Sequence, residues 1–496
     1  MSEGQEYLFE PSFNRAVKVR VADDRLTSDA GTILLREIDH HLGLTAALAA
    51  AMSDPRDAEH SRYSLAELLR QRIYGLAQGY PAQDDADGLA HDAAMKLAVW
   101  DRPGERVADE RLASQSSHSR LMDILTANKA NLAVLRGGLA ESILRHQRAS
   151  GPDHAVLRGT VDVDAFPIEV SGTQPGGAYN GYYQTTVYNP LVASFVAEGD
   201  YDGPRLGEGF IHALLRRGNC GPAEGAVRFI RTAVGQARRL ARSVDARIDA
   251  AFVVGPVIDP LTDDGIRFLG RLKSNPVIER LAEPHLTRPV GRPPAEGYQF
   301  TVELGMYQAG SWRHAQRLLL VVVDGPDPKT GQLSFEPDHF FLLTNWRPAD
   351  KSADALLDHY RRRGTFEDRF GEFNAAIQLK RSLPTFAENE ATLLLGLHAF
   401  NLAGMVRAGL EDTPDASGWD LGRVQKTVLK AAGRLVRGGH RLLLYVAAPA
   451  AALWRRLLGR IERWRLPERL KPRCGPRPRP WVPPPAHAHL HLVLRC

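Results

Sequence analysis

The chain has 496 residues, 44% hydrophobic, 24% charged and 7% aromatic, which is too long for one ordinary domain and too apolar for extended disorder. Lys+Arg outnumber Asp+Glu by only 63 to 58, yet residues 421–496 hold 17 basic residues against 2 Glu, leaving 46 basic and 56 acidic in the rest. Three scattered cysteines (Cys220, Cys474, Cys496), an acidic start (MSEGQEYLFE) and no apolar run of bilayer-spanning length exclude a disulfide framework, a CxxC zinc site, a secretory signal and a membrane span, so a bacterial-type cytoplasm is expected.

In chain order, residues 1–150 read as a helical region. Ser28-Asp29 resembles a cap before a helix at Ile33–Leu42, and Ser64 a cap before LAELLRQRIYGLAQG. At residue 156 the texture changes to period-two alternation in VLRGTVDVDAF, followed by Gly-rich turn chemistry in GTQPGGAYNGYY. Further strands are expected at YQTTVY and LVASFVA, an amphipathic helix at GPAEGAVRFIRTAVGQARRLAR, then strands at ARIDAAFV and IRFLGRLK. This order gives an α/β fold class, a ribonuclease-H-like core. Residues 275–345 (YQFTVEL, RLLLVVV, HFFLLTN) read as a β-rich insertion, after which helices return from SADALLDHYRRRGTFEDRF.

The expected divisions are therefore 1–150, helical; 151–274, first part of the core; 275–345, insertion; and 346–412, second part of the core. A basic helical region at 413–466 and a Pro/Arg-rich tail at 467–496 complete the chain. A basic end on an acidic body suits a polyanion, because neutralising phosphates releases counterions; a solvated Arg-rich helix accounts for the same composition.

Asp162 and Asp164 are two apart on a strand and leave the same face, while Asp249 ends the ARID strand. Asp is depleted in strand interiors, though any one of these could be a simple turn acid. In the expected sheet the first and fourth strands are neighbours, which brings Asp164 and Asp249 together, and two such carboxylates repel unless a cation lies between them. Tyr360, Arg363 and Glu367 share one helical stripe and offer a third acid; an exposed Arg–Glu pair is the ordinary alternative.

On these residues the chain resembles insertion-sequence transposases of the Asp-Asp-Glu type, in the Tyr-Arg-Glu-Lys signature class, and is most similar to the thirteen-eighty group. The resemblance rests on TSDAGTILLREIDHHLGL, QRIYGLAQGYPAQDDADGLAHD, LASQSSHSRL, VDVDAFPIEVSG, GAYNGYY, RIDAAF, IRFLGRLKSN, LLTNW and YRRRGTFED. It implies Asp164, Asp249 and Glu367 as catalytic acids and metal ligands, with Asp162 as an additional or alternative ligand. Tyr360, Arg363 and Asn374 become DNA contacts, and residues 1–150 the DNA-binding and dimerisation region. The signature Lys position is Asn374, and Ala250-Ala251-Phe252 follows the second acid where Ser-Gly is usual.

The implied activity is binding of terminal inverted repeats, then Mg2+-dependent strand cleavage and strand transfer, with Mn2+ able to substitute. Two hard cations about 4 Å apart stabilise attacking and leaving oxygens in such phosphoryl transfers, and three acids suit them better than His or Cys ligands would. The implied partners are double-stranded DNA (element ends and target) and a second copy in a homodimeric synaptic complex, with no membrane and with nucleoid association when DNA is bound. Such proteins often hold a flipped base with an aromatic wedge, for which Trp312 and Trp346 are candidates, though a core or surface aromatic is the more ordinary reading of each. A catalytically impaired DNA-binding remnant and a host nuclease on the same fold are the rival readings.

Other motifs carry less. QDDADGLAHDAA lacks the acidic first and twelfth positions of a calcium loop, and GNCGPAEG lacks the Lys-Ser/Thr of a phosphate loop. Cys220 has no His or Asp beside it, and His487, His489 and His491 alternate without a fourth ligand.

Overall fold

The computed structural model describes residues 25–470 except 103, 152–155, 171, 199–206, 289–296, 326–336, 380–382 and 439–440, together with 7–9, 12 and 19–20. At its centre is a mixed sheet of eight strands: β1 (Val156–Ala165), β2 (Leu191–Glu198), β3 (Gly209–Leu214), β4 (Ala241–Ile248), β5 (Arg267–Leu272), β6 (Tyr298–Tyr307), β7 (Gln316–Asp324) and β8 (Asp338–Thr344). Their order across the sheet is β3-β2-β1-β4-β5-β8-β7-β6. β1, β4 and β5 run parallel and every other neighbouring pair is antiparallel. Parallel central strands must be covered on both faces, and β1 accordingly carries Val161 and Val163, both fully buried, between its polar positions.

Helices surround the sheet: α1 (Thr32–Leu42), α2 (Leu65–Ala77), α3 (Gln115–Thr126), α4 (Lys129–Ser150), α5 (Ala226–Ala237), α6 (Gly255–Asp263), α7 (Ala353–Arg361), α8 (Gly364–Ile377), α9 (Phe386–Ala408) and α10 (Ala448–Ile461). α5 packs on β1–β4 through Phe229, Ile230, Ala233 and Val234, the apolar stripe of its amphipathic sequence. α9 is apolar on all sides and threads between α1, α2, α3, α4, α8 and β3. By length and composition it could cross a membrane, but 83% of its most apolar stretch is buried inside the protein, the mark of a core helix.

The structure departs from the sequence expectations at several elements. The sheet's third strand is β3, GFIHAL, whereas Thr185–Tyr188 joins Ile168–Glu169 and Ala178–Asn180 in a separate small sheet. Strands β6–β8, from the stretch read as an insertion, continue the central sheet beyond β5. α1 is capped by Gly31, not by Ser28-Asp29, because the Asp29 carboxylate is turned inward to Tyr80 and Lys430. Ser64 does form a reciprocal capping box with Glu67. The region after 421 is not purely helical: Gly433–Gly438 and Arg441–Val446 form a hairpin that pairs with Arg25–Thr27 near the start of the chain. The three alternating histidines at 487–491 and most of the Pro/Arg-rich tail lie outside the described residues.

Candidate active site

The strand register assembles the site. β1 and β4 run side by side with Thr160 opposite Asp245 and Asp162 opposite Arg247, so Asp164 and Asp249 follow at the same ends of the two strands. Period-two alternation puts all these side chains on one face. Asp249 stands just past β4 and caps a short 3-10 turn, Ala250–Phe252, by accepting from the Ala251 N–H at 3.3 Å. The Asp164 carboxylate accepts from the Ala165 N–H at 2.7 Å.

The third acid comes from α8. The helical stripe expected to hold Tyr360, Arg363 and Glu367 is interrupted: α7 stops at Arg361, a turn follows, and α8 begins at Gly364. Arg363 caps α8 and Glu367 lies in its first turn. The buried face of α8 is Phe366, Phe370 and Phe373, at helical spacing. Phe370 stacks on Phe166 at 4.3 Å between centroids and leans on Phe210, which also meets Phe373 and Phe400. Burial of each phenyl ring stabilises by about 1.5–3 kcal/mol, so this cluster fixes the rotation of α8 and turns Glu367 toward the strand ends.

Arg363 joins the three acids. Its Nη2 lies 2.5 Å from Asp164 and 3.7 Å from Asp249, and its Nη1 lies 2.8 Å from Glu367. Exposure rises outward, from 8% for the Arg363 side chain to 23%, 37% and 66% for Asp164, Asp249 and Glu367. Burial, reinforced by the neighbouring Asp249 and opposed by Arg363, raises the Asp164 pKa to about 6. Burial works against the Arg363 charge, but the surrounding carboxylates prevail and its pKa is raised. Burial also raises the Tyr360 pKa, so the phenol stays protonated at neutral pH.

A cleft of about 760 Å3 opens over this group, lined by all three acids, Tyr360 and Arg363. Sequence reasoning missed the rest of its wall. Arg271 and Lys273, exposed at the end of β5, share one side of it, and Tyr182, Tyr183 and Phe340 supply further aromatic surface. Arg271 lies over the Phe340 ring at 5.0 Å. The available signal was the alternation of RLK in a strand that ends beside the acids.

Other expected site residues lie elsewhere. Asp162 does not belong with the ligands: it is fully buried, and Arg247 donates to both its oxygens through Nε and Nη2, each at 2.7 Å. It is not among the residues that line the cleft. Trp312 is buried edge-on against Tyr307, and Trp346 packs among Leu269, Leu319 and Leu356 beneath Arg267. Neither lines the cleft, so neither fits the wedge role. Asn374 is exposed two turns beyond Glu367, outside the cleft wall.

Asp164, Asp249 and Glu367 supply only oxygen donors, the kind a hard divalent cation takes, and they are spaced around both Nη atoms of the Arg363 guanidinium rather than meeting at one point. Its Nε–H is buried without a hydrogen-bond partner among the described residues. A second acidic group, Glu198, Asp245 and His359, lies deeper on the same face, with atoms close enough to surround a cation.

A family profile described as transposase DDE domain group 1 matches residues 9–466, nearly the whole chain. The chain belongs to the DDE transposase family. No curated protein matches it closely. The profile runs continuously through α1–α4, the eight-stranded sheet, α7–α9 and α10, so all of these elements belong to the transposase proper.

Proposed function

We propose that this transposase binds the ends of an insertion sequence and cuts and joins DNA strands with divalent cations, Mg2+ in the first place and Mn2+ as a substitute. The observation that carries the reading is the meeting of Asp164, Asp249 and Glu367 on one guanidinium at the mouth of a basic and aromatic cleft. The order β3-β2-β1-β4-β5, with β1, β4 and β5 parallel, supports a ribonuclease-H-like core in which 275–345 is an elaboration of one sheet edge.

Asp164, Asp249 and Glu367 would hold the cations. When bound, these would generate the nucleophile near neutral pH and offset charge on the leaving oxygen. The remaining work falls to the chain's own side chains. Arg363, released from the acids, donates its planar fork to a phosphate beside the scissile bond. Tyr360 remains a hydroxyl donor because burial keeps it protonated. Arg271 and Lys273 follow the DNA backbone along the β5 side of the cleft. The same surface accounts for double-stranded DNA as partner, both element ends and target, and a second copy of the chain would complete the synaptic complex.

The test is Mg2+-dependent nicking of a duplex carrying the element's terminal repeats. Asp249→Asn is expected to bind that duplex within about twofold of the unaltered protein and to lose at least about a thousandfold in cleavage rate. Undiminished cleavage by this variant would remove Asp249 from the mechanism.

A further inference from the structure

Beneath the cleft, the face of β1, β2 and β4 that carries the acids is polar for two further rungs. One rung is the buried Asp162–Arg247 pair, and below it Thr160 lies opposite Asp245 with Glu198 at the end of β2. Into this lowest rung α7 inserts His359, which is 3% exposed. Its Nδ1 lies 2.7 Å from Glu198 and its Nε2 lies 2.8 Å from Asp245. We propose that His359 is a positioning residue, an imidazolium clamped between Glu198 and Asp245 that fixes the helix pair carrying Tyr360, Arg363 and Glu367 over the sheet. The inference rests on the reading of those residues as catalytic.

Three observations carry it. The first is stereochemical. A neutral imidazole has one ring N–H and one lone pair, so a neutral ring between two carboxylate oxygens would set its lone pair against one of them. Donation from both nitrogens satisfies both contacts. The second is charge balance. The buried face holds Asp162, Asp245 and Glu198 against Arg247 and Lys351, the latter drawn electrostatically to Glu198 and Asp245; a charged His359 brings the two signs level. Arg158, opposite Glu198 on β1, and Arg362 are both exposed, so water screens their charges. Buried unpaired charge is costly, so the ring gains its proton from the fold. The third is linkage to the site. His359 and Arg363 are four residues apart across the turn that joins α7 to α8, and Arg247 donates from Nη1 to the His359 carbonyl at 2.6 Å while holding Asp162. The rung under Asp164 and Asp249 is therefore bonded directly to the backbone of α7.

The same geometry argues against a cation among these three groups. As an imidazolium the ring would offer a cation no lone pair, and the Glu198 Oε1 it faces also accepts from Thr160 at 2.7 Å. Burial disfavours the imidazolium, but the two carboxylates prevail and the His359 pKa is raised.

The test has two arms on the full chain. In the first, 15N-histidine NMR reads ring protonation, with the His359 signals among the 17 histidines identified by their absence in His359→Gln. Both ring nitrogens should be protonated at pH 7.5, and Glu198→Gln should bring ring titration down by at least about one pH unit. A ring that is neutral at pH 7.5 in the unaltered protein overturns the clamp. In the second arm, single-turnover nicking is measured at saturating DNA and Mg2+. His359→Gln should cut at least tenfold more slowly with DNA affinity within twofold, and Glu198→Gln should move the alkaline limb of the pH–rate profile down by the same interval as the ring. A loss of packing alone would reduce the fraction of active protein without moving that limb, and an unmoved limb overturns the positioning role. Should His359→Gln fail to fold, the Glu198→Gln profile decides alone. If the unaltered protein shows the imidazolium but nicks no duplex, the catalytic reading fails and the clamp stands as a structural device only.

Discussion

Arg363 occupies the point where three carboxylates would otherwise repel one another, so in the absence of metal it is their counter-ion. On the proposed reading Arg363 would compete with a divalent cation for these acids and would turn to a phosphate once DNA is bound. Arg363→Ala should therefore bind Mn2+ more tightly than the unaltered chain in DNA-free calorimetry, by roughly tenfold, while cleaving at least about tenfold more slowly. Weaker Mn2+ binding by that variant would mean the guanidinium organises the acids rather than competing for them. The Asp162–Arg247 pair below is expected to behave differently. Asp162→Asn leaves a fully buried guanidinium short of its partner and should cost about 3–5 kcal/mol, whereas removing both charges with Asp162→Leu and Arg247→Met should cost less, as equilibrium unfolding in urea would register.

The clamp also sets a pH window. His359 is raised above its ordinary 6.5, so its stabilisation is complete below that pH and is lost as pH climbs through the folded-state value. His359 and Thr160 hold Glu198 down to about 2, against the opposing effect of burial, so its stabilisation is complete above 4.5 and is lost as pH falls toward 2. Hydrogen-exchange protection of α7 should accordingly plateau between these limits and decline on both sides. Glu198→Gln should lower the plateau and weaken both declines.

At the scale of elements, the position of the first two acids was legible because Asp is out of place in a strand, and two such residues announced themselves in VDVDAF and RIDAAF. The alternation could not say which of Asp162 and Asp164 faces the cleft. Both leave the same side of β1, and only the arrival of Arg247 from β4 separates the buried one from the open one. Arg271 and Lys273 were not legible, since alternating basic residues in a strand also describe an ordinary solvent face. β3 was missed because five of its six residues are buried and its apolar run has no period. The 433–446 hairpin did carry a signal, two short alternating runs around Gly438-Gly439, but its arginines read as a helical basic face. The turn between α7 and α8 breaks the stripe through Tyr360 and Glu367, which spacing alone treats as continuous.

Gly31 offers a direct test of how α1 is seated. A methyl group there would come within 2.3 Å of the Leu429 Cα, a backbone atom that cannot step aside. Gly31→Ala should cost about 1–3 kcal/mol through overpacking and should expose 425–446 to protease, with α5 and its strands unaffected. Unchanged protection of that segment would show that the contact relaxes freely.

At the scale of the whole molecule, the basic end and the acidic body are not separate modules. Lys430 meets Asp29, Arg437 meets Asp109, and α10 lies against α1. Some of the positive charge is therefore spent internally, while Arg455, Arg456 and Arg463 remain exposed on and just beyond α10. Binding to a terminal-repeat duplex should still weaken steeply with salt, by roughly a thousandfold or more between about 50 and 200 mM if six or more phosphates are contacted. A shallow slope in filter binding would assign recognition to base edges over backbone charge.

The junction between the two ends has a consequence for synthesis. Ala30 and Gly31 donate their amides to the carbonyls of Ala431 and Leu429, and Arg25–Thr27 finds its strand partner only at 433–435. A growing polypeptide thus emerges with Arg25–Thr27 lacking this strand partner until some four hundred further residues have been translated. Ribosome-arrested chains ending at 425 should leave residues 25–31 open to cleavage, and chains extended past 470 should protect them. Pairing of Arg25–Thr27 with 433–435 would then report that the two distant segments have both been made and have met.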